Sequence, residues 1–312
     1  METLQDYDYD FQDEVPVVGK YLDLRIDWAF KYVFSKKEIL LKLLNDILPP
    51  TITDLEYLSN EIPVRSEKDK RSTLDVICES PEGKFLVEMQ RRHTADIDDR
   101  LAYYSASLVH GQVKRKAEIY KVKHVYVLCV ASFVRKHLEG TPNDKLLFGY
   151  DYRENETYEL LENAKTSFYY LELSRMKERE WEKLQKNPER WCYLFKNMSK
   201  FASERAEPGD LHGFEDVLDA ARVDCLSPEE MDNYQDMLTA VKNEIRSAHQ
   251  YDISQAESRG EARGIARGRA EGEAKGRAEE KVEMAKALKS LNVQEETISQ
   301  ASGLSLEDIA KL

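Results

Sequence analysis

The chain has 312 residues, more than one typical domain, and its 41% apolar residues suffice for a globular core. No stretch approaches the ~18 apolar residues that a membrane-spanning helix needs, and the acidic start is unlike a signal peptide, so we expect a cytoplasmic protein without membrane contact. The formal net charge of −13 argues at first against a nucleic-acid partner.

The charges are unevenly distributed, however. Residues 1–64 carry 6 basic and 13 acidic side chains, residues 65–145 carry 16 and 12, and residues 146–312 carry 24 and 34. The middle segment is therefore the only one of the three that is net basic. Because phosphate binding depends on local rather than total charge, a nucleic acid remains compatible with this segment.

In chain order, the first segment is residues 1–20, whose first 15 residues hold six acidic groups and no basic one. Like charges repel, so we expect a flexible tail. In residues 27–45, apolar residues recur at three- and four-residue steps, which predicts one amphipathic helix or two short ones before Pro49 and Pro50. Asp27 begins this pattern and is a candidate helix cap. A short strand or turn over residues 51–60 and a charged loop over residues 61–70 follow.

Residues 72–90 contain two apolar segments around a Pro-Glu-Gly turn, which is the pattern of a β-hairpin. Asp75 lies in the first predicted strand and Glu88 near the end of the second, so pairing brings both carboxylates to one end of the sheet. A carboxylate within an apolar strand is costly unless it is paired, hydrogen-bonded or bound to metal. Carboxylate oxygens suit Mg²⁺ or Mn²⁺. The pair can therefore hold a divalent cation, and the alternative is two carboxylates at solvated strand ends.

Residues 95–119 have the pattern of a long helix with one buried stripe. Arg100 on this helix is a candidate contact for substrate phosphate or for the carboxylates. The alternative is a surface arginine paired with Asp96 at helical spacing. A basic cluster follows and suits a nucleic-acid backbone, although basic residues are favoured at helix C-termini in any case. It comprises Lys114, Arg115 and Lys116, with Lys121 and Lys123 after them.

Residues 124–133 are continuously apolar, as in a strand buried on both faces, and residues 145–152 and 166–173 predict two more strands. The order helix, hairpin, helix, strand predicts an α/β fold with a mixed central β-sheet flanked by helices. The four cysteines show no paired spacing, so we expect buried thiols and neither a zinc site nor a disulfide framework. They are Cys78, Cys129, Cys192 and Cys225.

After residue 175 the sequence becomes charged and helical. We predict an α-helical C-terminal extension over residues 176–250, with helices at 176–186, 188–204, 213–222 and 228–248. Residues 251–280 form a Gly/Ala/Arg/Glu repeat with a glycine every four residues from Gly260 to Gly276, which fits either a linker or a helix. A small helical module over residues 281–312 follows, and it contains a helix-turn-helix corner at 299–305. This C-terminal region is also where we expect self-association.

Asp75, followed thirteen positions later by Glu88-Met89-Gln90, resembles the PD-(D/E)XK nuclease pattern. More narrowly, the chain is similar to the recombination-promoting nuclease and transposase family, in which Gln commonly stands in the Lys position. The run Asp-Trp-Ala-Phe-Lys-Tyr-Val-Phe from Asp27, the helix around Arg100 and the glycine-spaced tail carry this narrower resemblance.

The resemblance implies a restriction-endonuclease-like core over residues 21–175 that cuts DNA with Mg²⁺ or Mn²⁺, linked to recombination or transposition. Asp75 and Glu88 would be metal ligands, with the Met89 carbonyl joining them. Gln90 would orient the attacking water, and Asp27 would be an accessory acid.

Gln90 departs from the broader pattern because it carries no positive charge. Because Gln is common at this position in the resembled family, it is a variation and not evidence against catalysis. Two other readings of the chain stay open on separate grounds. One is a non-catalytic module that keeps the nuclease fold and binds nucleic acid or protein, and the other is a helical scaffold with a purely structural core.

Overall fold

The computed structural model describes residues 16, 18–60, 74–113, 119–137, 140–177 and 180–312. The predicted acidic tail over residues 1–15, the loop at 61–70 and the cluster Lys114, Arg115 and Lys116 lie outside these ranges. Through the sheet, the elements are α1 (Asp27–Phe34), α2 (Lys37–Ile47), β1 (Glu56–Tyr57), β2 (Val76–Glu79), β3 (Lys84–Gln90), α3 (Ile97–His110), β4 (Val125–Ala131), β5 (Leu147–Tyr150) and β6 (Thr166–Glu172). The later helices are α4 (Asn187–Asn197), α5 (Glu215–Ala220), α6 (Pro228–Ser290), α7 (Glu295–Ser302) and α8 (Leu306–Ala310).

A six-stranded mixed sheet lies at the centre, in the order β1-β2-β3-β4-β6-β5. Strands β3, β4 and β6 run parallel, whereas β2 pairs antiparallel with β3 and β5 pairs antiparallel with β6. The predicted α/β fold with a mixed sheet, flanking helices and a helical C-terminal region is confirmed. The parallel centre also explains the continuous apolar runs, because parallel strands are covered on both faces.

Helix α3 covers one face of the sheet. Side chains from β2, β3 and β4 on that face pack against it in one apolar cluster, which includes Ile77, Leu86, Val127, Leu101 and Tyr104. The five residues between Lys84 and Gln90 are all buried, so β3 has protein on both of its faces. This packing fixes the register of β3 and with it the direction of the Glu88 side chain.

Aromatic packing holds α1 against α4. The Phe34 ring lies 6.0 Å from the rings of both Trp191 and Phe195, and 4.6 Å from the ring of Phe30. Phe30, Phe34 and Trp191 are fully buried. Large buried rings contribute strongly to stability, so this packing holds α1, with the residues on its exposed side, in place against α4.

The first predicted helical region forms two helices, because the extended backbone of Lys36, with φ −83° and ψ 114°, separates them. The helix predicted at residues 176–186 is wrong: in the part of that range that the structure describes there is only a 3-10 turn, Trp181–Lys183. Trp181 is buried there and its indole N–H donates to the Asp210 carbonyl at 2.7 Å. Burial of this ring overrides the helical propensity of the surrounding charged residues. Cys225 is exposed, contrary to expectation, whereas the other three thiols are buried.

The chain divides into two compact units, Met1–Asn243 and Glu244–Leu312. The boundary falls within α6, a single helix of 63 residues that continues through the glycine repeat. Along the repeat, Arg267 pairs with Glu271 at 2.7 Å and Arg269 with Glu273 at 3.0 Å, each at four-residue spacing. Such pairs support an exposed helix by a few tenths of a kcal/mol each.

In the second unit, the end of α6 packs with α7 and α8 around Ala285, Ile298 and Ile309. The predicted corner between the last two helices is present. Gly303 adopts φ +69° there, a left-handed conformation in which a side chain would be strained. None of the helices in the described ranges is both long enough and apolar enough to cross a bilayer.

Candidate active site

The β2–β3 hairpin places Asp75 opposite Glu88. Val76 pairs with Val87, so Asp75, one residue earlier, lies across from the next residue of β3. The Asp75 N–H donates to Glu88 Oε1 at 3.2 Å, and the Met89 N–H donates to Asp75 Oδ2 at 2.8 Å. The predicted meeting of the two carboxylates is therefore present. Asp75 itself lies just before the strand, not within it as the sequence suggested.

Both carboxylates are withdrawn from solvent. Glu88 is 2% exposed and the Asp75 side chain 11%. Burial raises the pKa of both carboxyl groups, and the charge of Asp75 raises the pKa of Glu88 further. The Met89 N–H and the charge of Lys31 act in the opposite direction on Asp75. Two acidic groups that resist ionising together form an environment in which added positive charge is stabilising.

Asp27 reaches this pair through Lys31. Helix α1 begins at Asp27, its N-cap is Ile26, and Asp27 is thus not the cap that its position suggested. The Lys31 Nζ lies 2.7 Å from Asp27 Oδ1 and 3.3 Å from Asp75 Oδ1. The charge of Asp27 and its hydrogen bonding also raise the pKa of Asp75. One turn of α1 therefore places a carboxylate, Asp27, and an ammonium group, Lys31, at the edge of the site.

Gln90, the last residue of β3, contacts the same pair. Its side-chain Nε2 donates to Glu88 Oε2 at 3.2 Å. Because β3 alternates its side chains, Gln90 and Glu88 share one face of the sheet. The amide therefore holds the carboxylate, as well as lying where a lysine stands in the broader pattern.

Arg100 approaches from α3. Its Nε donates to the Tyr104 hydroxyl at 3.3 Å, and its charge lowers the pKa of Glu88. The Arg100 backbone N–H donates to the Asp96 carbonyl at 2.9 Å as an ordinary helical contact. The charges of Glu88 and Asp96 both raise the pKa of Arg100, so both partners considered from the sequence act on it.

The donor set suits a hard divalent cation. Asp75 and Glu88 offer carboxylate oxygens side by side, and Mg²⁺ commonly takes one or two protein carboxylates together with water and phosphate oxygens. Within the described ranges, no group of three or more His, Cys, Asp or Glu side chains is arranged to hold a metal ion. A cation here would therefore have two side-chain ligands.

Lys31 is the residue that sequence reasoning missed. The available signal was its four-residue spacing from Asp27, which predicts an ion pair on one helix face. Its contact with Asp75 joins positions 44 residues apart, so only the tertiary packing of α1 against the sheet reveals it.

A cleft of about 680 Å³ lies at the opposite end of β3, and its lining includes Lys84, Lys121, Lys123 and Lys165. Two of these lysines pair with Glu79: Lys123 Nζ at 2.7 Å and Lys84 Nζ at 3.2 Å. The carboxylate pair does not line this cleft. The cleft is a basic surface separate from the carboxylates.

The chain was compared with known families and proteins. The family model described as PD-(D/E)XK nuclease family transposase matches residues 24–250, a range that includes Asp27, Asp75, Glu88 and Gln90. Comparison with curated proteins and with solved structures gave no match. The match spans well over half of the chain and agrees with the sheet and hairpin described above. The chain therefore belongs to the PD-(D/E)XK nuclease family transposases.

Proposed function

We propose that this protein is a metal-dependent endonuclease that hydrolyses phosphodiester bonds in DNA, with Mg²⁺ or Mn²⁺ held by Asp75 and Glu88. The observation that carries the proposal is the buried, directly opposed carboxylate pair at the end of the hairpin. Burial raises the pKa of both groups even though Lys31 lies 3.3 Å from Asp75, so a divalent cation would further stabilise their ionised forms. The family assignment supports a nuclease reaction.

Each nearby residue has a part in this reaction. A divalent cation on Asp75 and Glu88 would lower the pKa of a bound water and neutralise charge on the scissile phosphate. The Met89 carbonyl is the proposed third protein ligand. Gln90 steadies Glu88 through its amide N–H, and its amide oxygen can accept a hydrogen bond from the attacking water. Asp27 is an accessory acid that positions Lys31.

The choice of DNA rests on the transposase description of the family and on basic surfaces of the chain. The charge of Arg100 acts on Glu88, and this side chain is the proposed contact for the phosphate next to the scissile bond. The lysines of the cleft would bind backbone phosphates further along, together with Lys114, Arg115 and Lys116. A role in recombination or transposition, a cytoplasmic location and self-association through the C-terminal helices belong to the same proposal.

A non-catalytic module that retains the nuclease fold is the second candidate. At position 90 an amide stands where the broader pattern has lysine and cannot supply that charge, so cleavage would depend on other groups of the site. Such a module would bind nucleic acid and leave it intact.

Incubation of the purified protein with supercoiled plasmid and Mg²⁺ or Mn²⁺ tests the proposal. We expect nicking by the wild type and a loss on the order of 100-fold or more in Asp75→Asn and Glu88→Gln. Glu79→Gln is the matched control, because Glu79 is also a carboxylate on this hairpin but pairs with Lys84 and Lys123. Nicking that survives in either site variant would overturn the site. No nicking by folded wild type that still binds DNA would favour the non-catalytic module.

A further inference from the structure

At position 90, the end of β3 beside the carboxylates, the site has an uncharged amide. Gln90 occupies the position at which the broader nuclease pattern has lysine, and its amide contacts Glu88 at 3.2 Å. Phosphodiester hydrolysis develops negative charge on the phosphoryl oxygens, and a positioned cation stabilises that charge. The question is therefore which side chain of this protein takes that role.

Lys31 lies on the other side of the same carboxylate pair. Its Nζ is 3.3 Å from Asp75 Oδ1, and its side chain remains 33% exposed. A group that contacts a proposed metal ligand and is also open to solvent can reach a bound substrate. Lys31 contacts Asp75 directly, and the charges of Arg100 and Lys31 both lower the pKa of Glu88.

The position of Lys31 is fixed by its surroundings. Ala29, Phe30, Val33 and Phe34 of α1 are buried, which holds the helix in place. Asp27, one turn earlier, accepts from the ammonium group at 2.7 Å and directs it toward the site. A lysine usually has many rotamers, and this double contact removes most of that freedom.

We propose that Lys31 supplies from α1 the catalytic positive charge that Gln90 does not supply from β3. This inference rests on the proposed nuclease function. In the reaction, the water oxygen bonds to phosphorus, the bond from phosphorus to the leaving sugar oxygen breaks, the water releases a proton to solvent and the leaving oxygen takes one up. The Lys31 ammonium changes none of these bonds and instead stabilises the charge on the phosphoryl oxygens.

The contact with Asp75 has a second consequence. Lys31 and a divalent cation would use the same carboxylate, so the two positive charges oppose each other there. Removing the ammonium group should slow cleavage and at the same time strengthen cation binding. A lysine that only stabilised the fold would not produce this opposite pair of effects.

The test compares the wild type with Lys31→Met, Gln90→Lys and the variant carrying both changes. Single-turnover cleavage of plasmid DNA and calorimetric titration with Mn²⁺ at mildly alkaline pH are the two measurements. For Lys31→Met we expect a cleavage rate lower by about 100-fold, as for removal of one transition-state donor. We expect Mn²⁺ binding that is several-fold tighter, up to about 10-fold. Lysine at position 90 in the Lys31→Met background should restore at least about a tenth of the wild-type rate.

Lys37→Met is the matched control, because Lys37 lies on α2 with a similar exposure and pairs with Asp54. It should leave both measurements unchanged. Cleavage at the wild-type rate by Lys31→Met would overturn the inference while the nuclease proposal stands. So would a loss of both cleavage and Mn²⁺ binding that lysine at position 90 does not repair, because that outcome indicates a structural role. A wild type that binds Mn²⁺ but does not cut DNA would overturn the nuclease proposal and this role of Lys31 together.

Discussion

A buried ion pair between Asp23 and Arg25 gives the sharpest stability prediction. The Asp23 side chain is 0% exposed and that of Arg25 8%. Arg25 donates from Nε to Asp23 Oδ1 at 2.9 Å, from Nη2 to Oδ2 at 2.7 Å and from its backbone N–H to Oδ1 at 3.0 Å. The Asp23 N–H in turn donates to the hydroxyl of Tyr234, which lies on α6. The pair therefore joins distant parts of the first unit.

Asp23→Asn removes the buried carboxylate that accepts three hydrogen bonds from Arg25 and so breaks this ion pair. Breaking a buried pair in this way costs about 3–5 kcal/mol, and we expect about 3 kcal/mol because the Asn oxygen still accepts one hydrogen bond. Adding Arg25→Met should recover most of this loss, since no buried charge then remains uncompensated. Urea unfolding followed by tryptophan fluorescence measures the change, because Trp28, Trp181 and Trp191 all lie in the first unit.

The pH dependence follows from the pKa of Asp23. Burial raises this pKa, but the charge and hydrogen bonds of Arg25 outweigh burial and leave it below the ordinary value of 3.8. A lowered folded-state pKa contributes stability above the unfolded-state pKa and loses it as the pH falls through the folded-state pKa. The difference between wild type and Asp23→Asn should therefore be constant near neutral pH and shrink in acid.

Asp224→Asn is the control for this experiment. Asp224 and Arg222 form a two-point pair at the same two-residue spacing, but both side chains are exposed. Exposed pairs contribute little, so the free energy of unfolding should stay unchanged. Equal effects of Asp23→Asn and Asp224→Asn, or a double variant no more stable than Asp23→Asn, would refute the argument from burial.

Three further predictions concern the site, the DNA and the long helix. Mn²⁺ should raise the melting temperature of the wild type in a thermal-shift assay, because a cation that binds only the folded protein stabilises it. Glu88→Gln lacks one proposed ligand and should show no such rise. Replacing Lys121 and Lys165 with Gln should reduce the salt dependence of DNA binding by about two phosphate contacts in filter-binding assays. Alanine at each glycine of the α6 repeat should stabilise the helix by about 1 kcal/mol per site and so raise the helical signal in circular dichroism, since no described residue lies within 4 Å of the added methyl.

The cation, DNA and helix predictions each have a control variant and a result that would contradict them. For the cation, Glu79→Gln should melt like the wild type with and without Mn²⁺, and a full shift in Glu88→Gln would contradict the site. For DNA, Lys183→Gln removes a lysine that does not line the cleft, and an equal loss of salt dependence would point to general charge alone. For α6, alanine at Gly303 should lower stability because of its left-handed φ, and a loss at the repeat positions would indicate an unrecognised close contact.

The hairpin and the central strands could be predicted from local sequence. Two apolar runs around a Pro-Glu-Gly turn leave antiparallel pairing as the simplest arrangement, and that pairing alone sets Asp75 opposite Glu88. Continuous apolar runs predicted β4 and β6, because strands in a parallel centre have no solvent face. Their ends shifted by one or two residues, as is usual where hydrogen bonding stops gradually.

Other features depend on contacts that local sequence does not encode. The segment at residues 176–186 has helical composition, yet the burial of Trp181 against Tyr193 and Phe214 prevents a helix there. The glycine repeat fits a linker or a helix by propensity, and the structure continues α6 through it. In both cases the local preferences were weak, and packing or helix continuity decided the outcome.

The sequence by itself therefore determined the elements that depend on short-range patterns: the hairpin, its opposed carboxylates and the order of helices and strands. Only the tertiary structure decided how α1 meets the sheet, because that contact depends on the burial of Phe30 and Phe34 against residues far along the chain. Through this packing Lys31 reaches Asp75, and α1 thereby brings to the site a positive charge that Gln90 does not carry. Side-chain periodicity specifies neighbours within an element, whereas long-range packing specifies which elements meet.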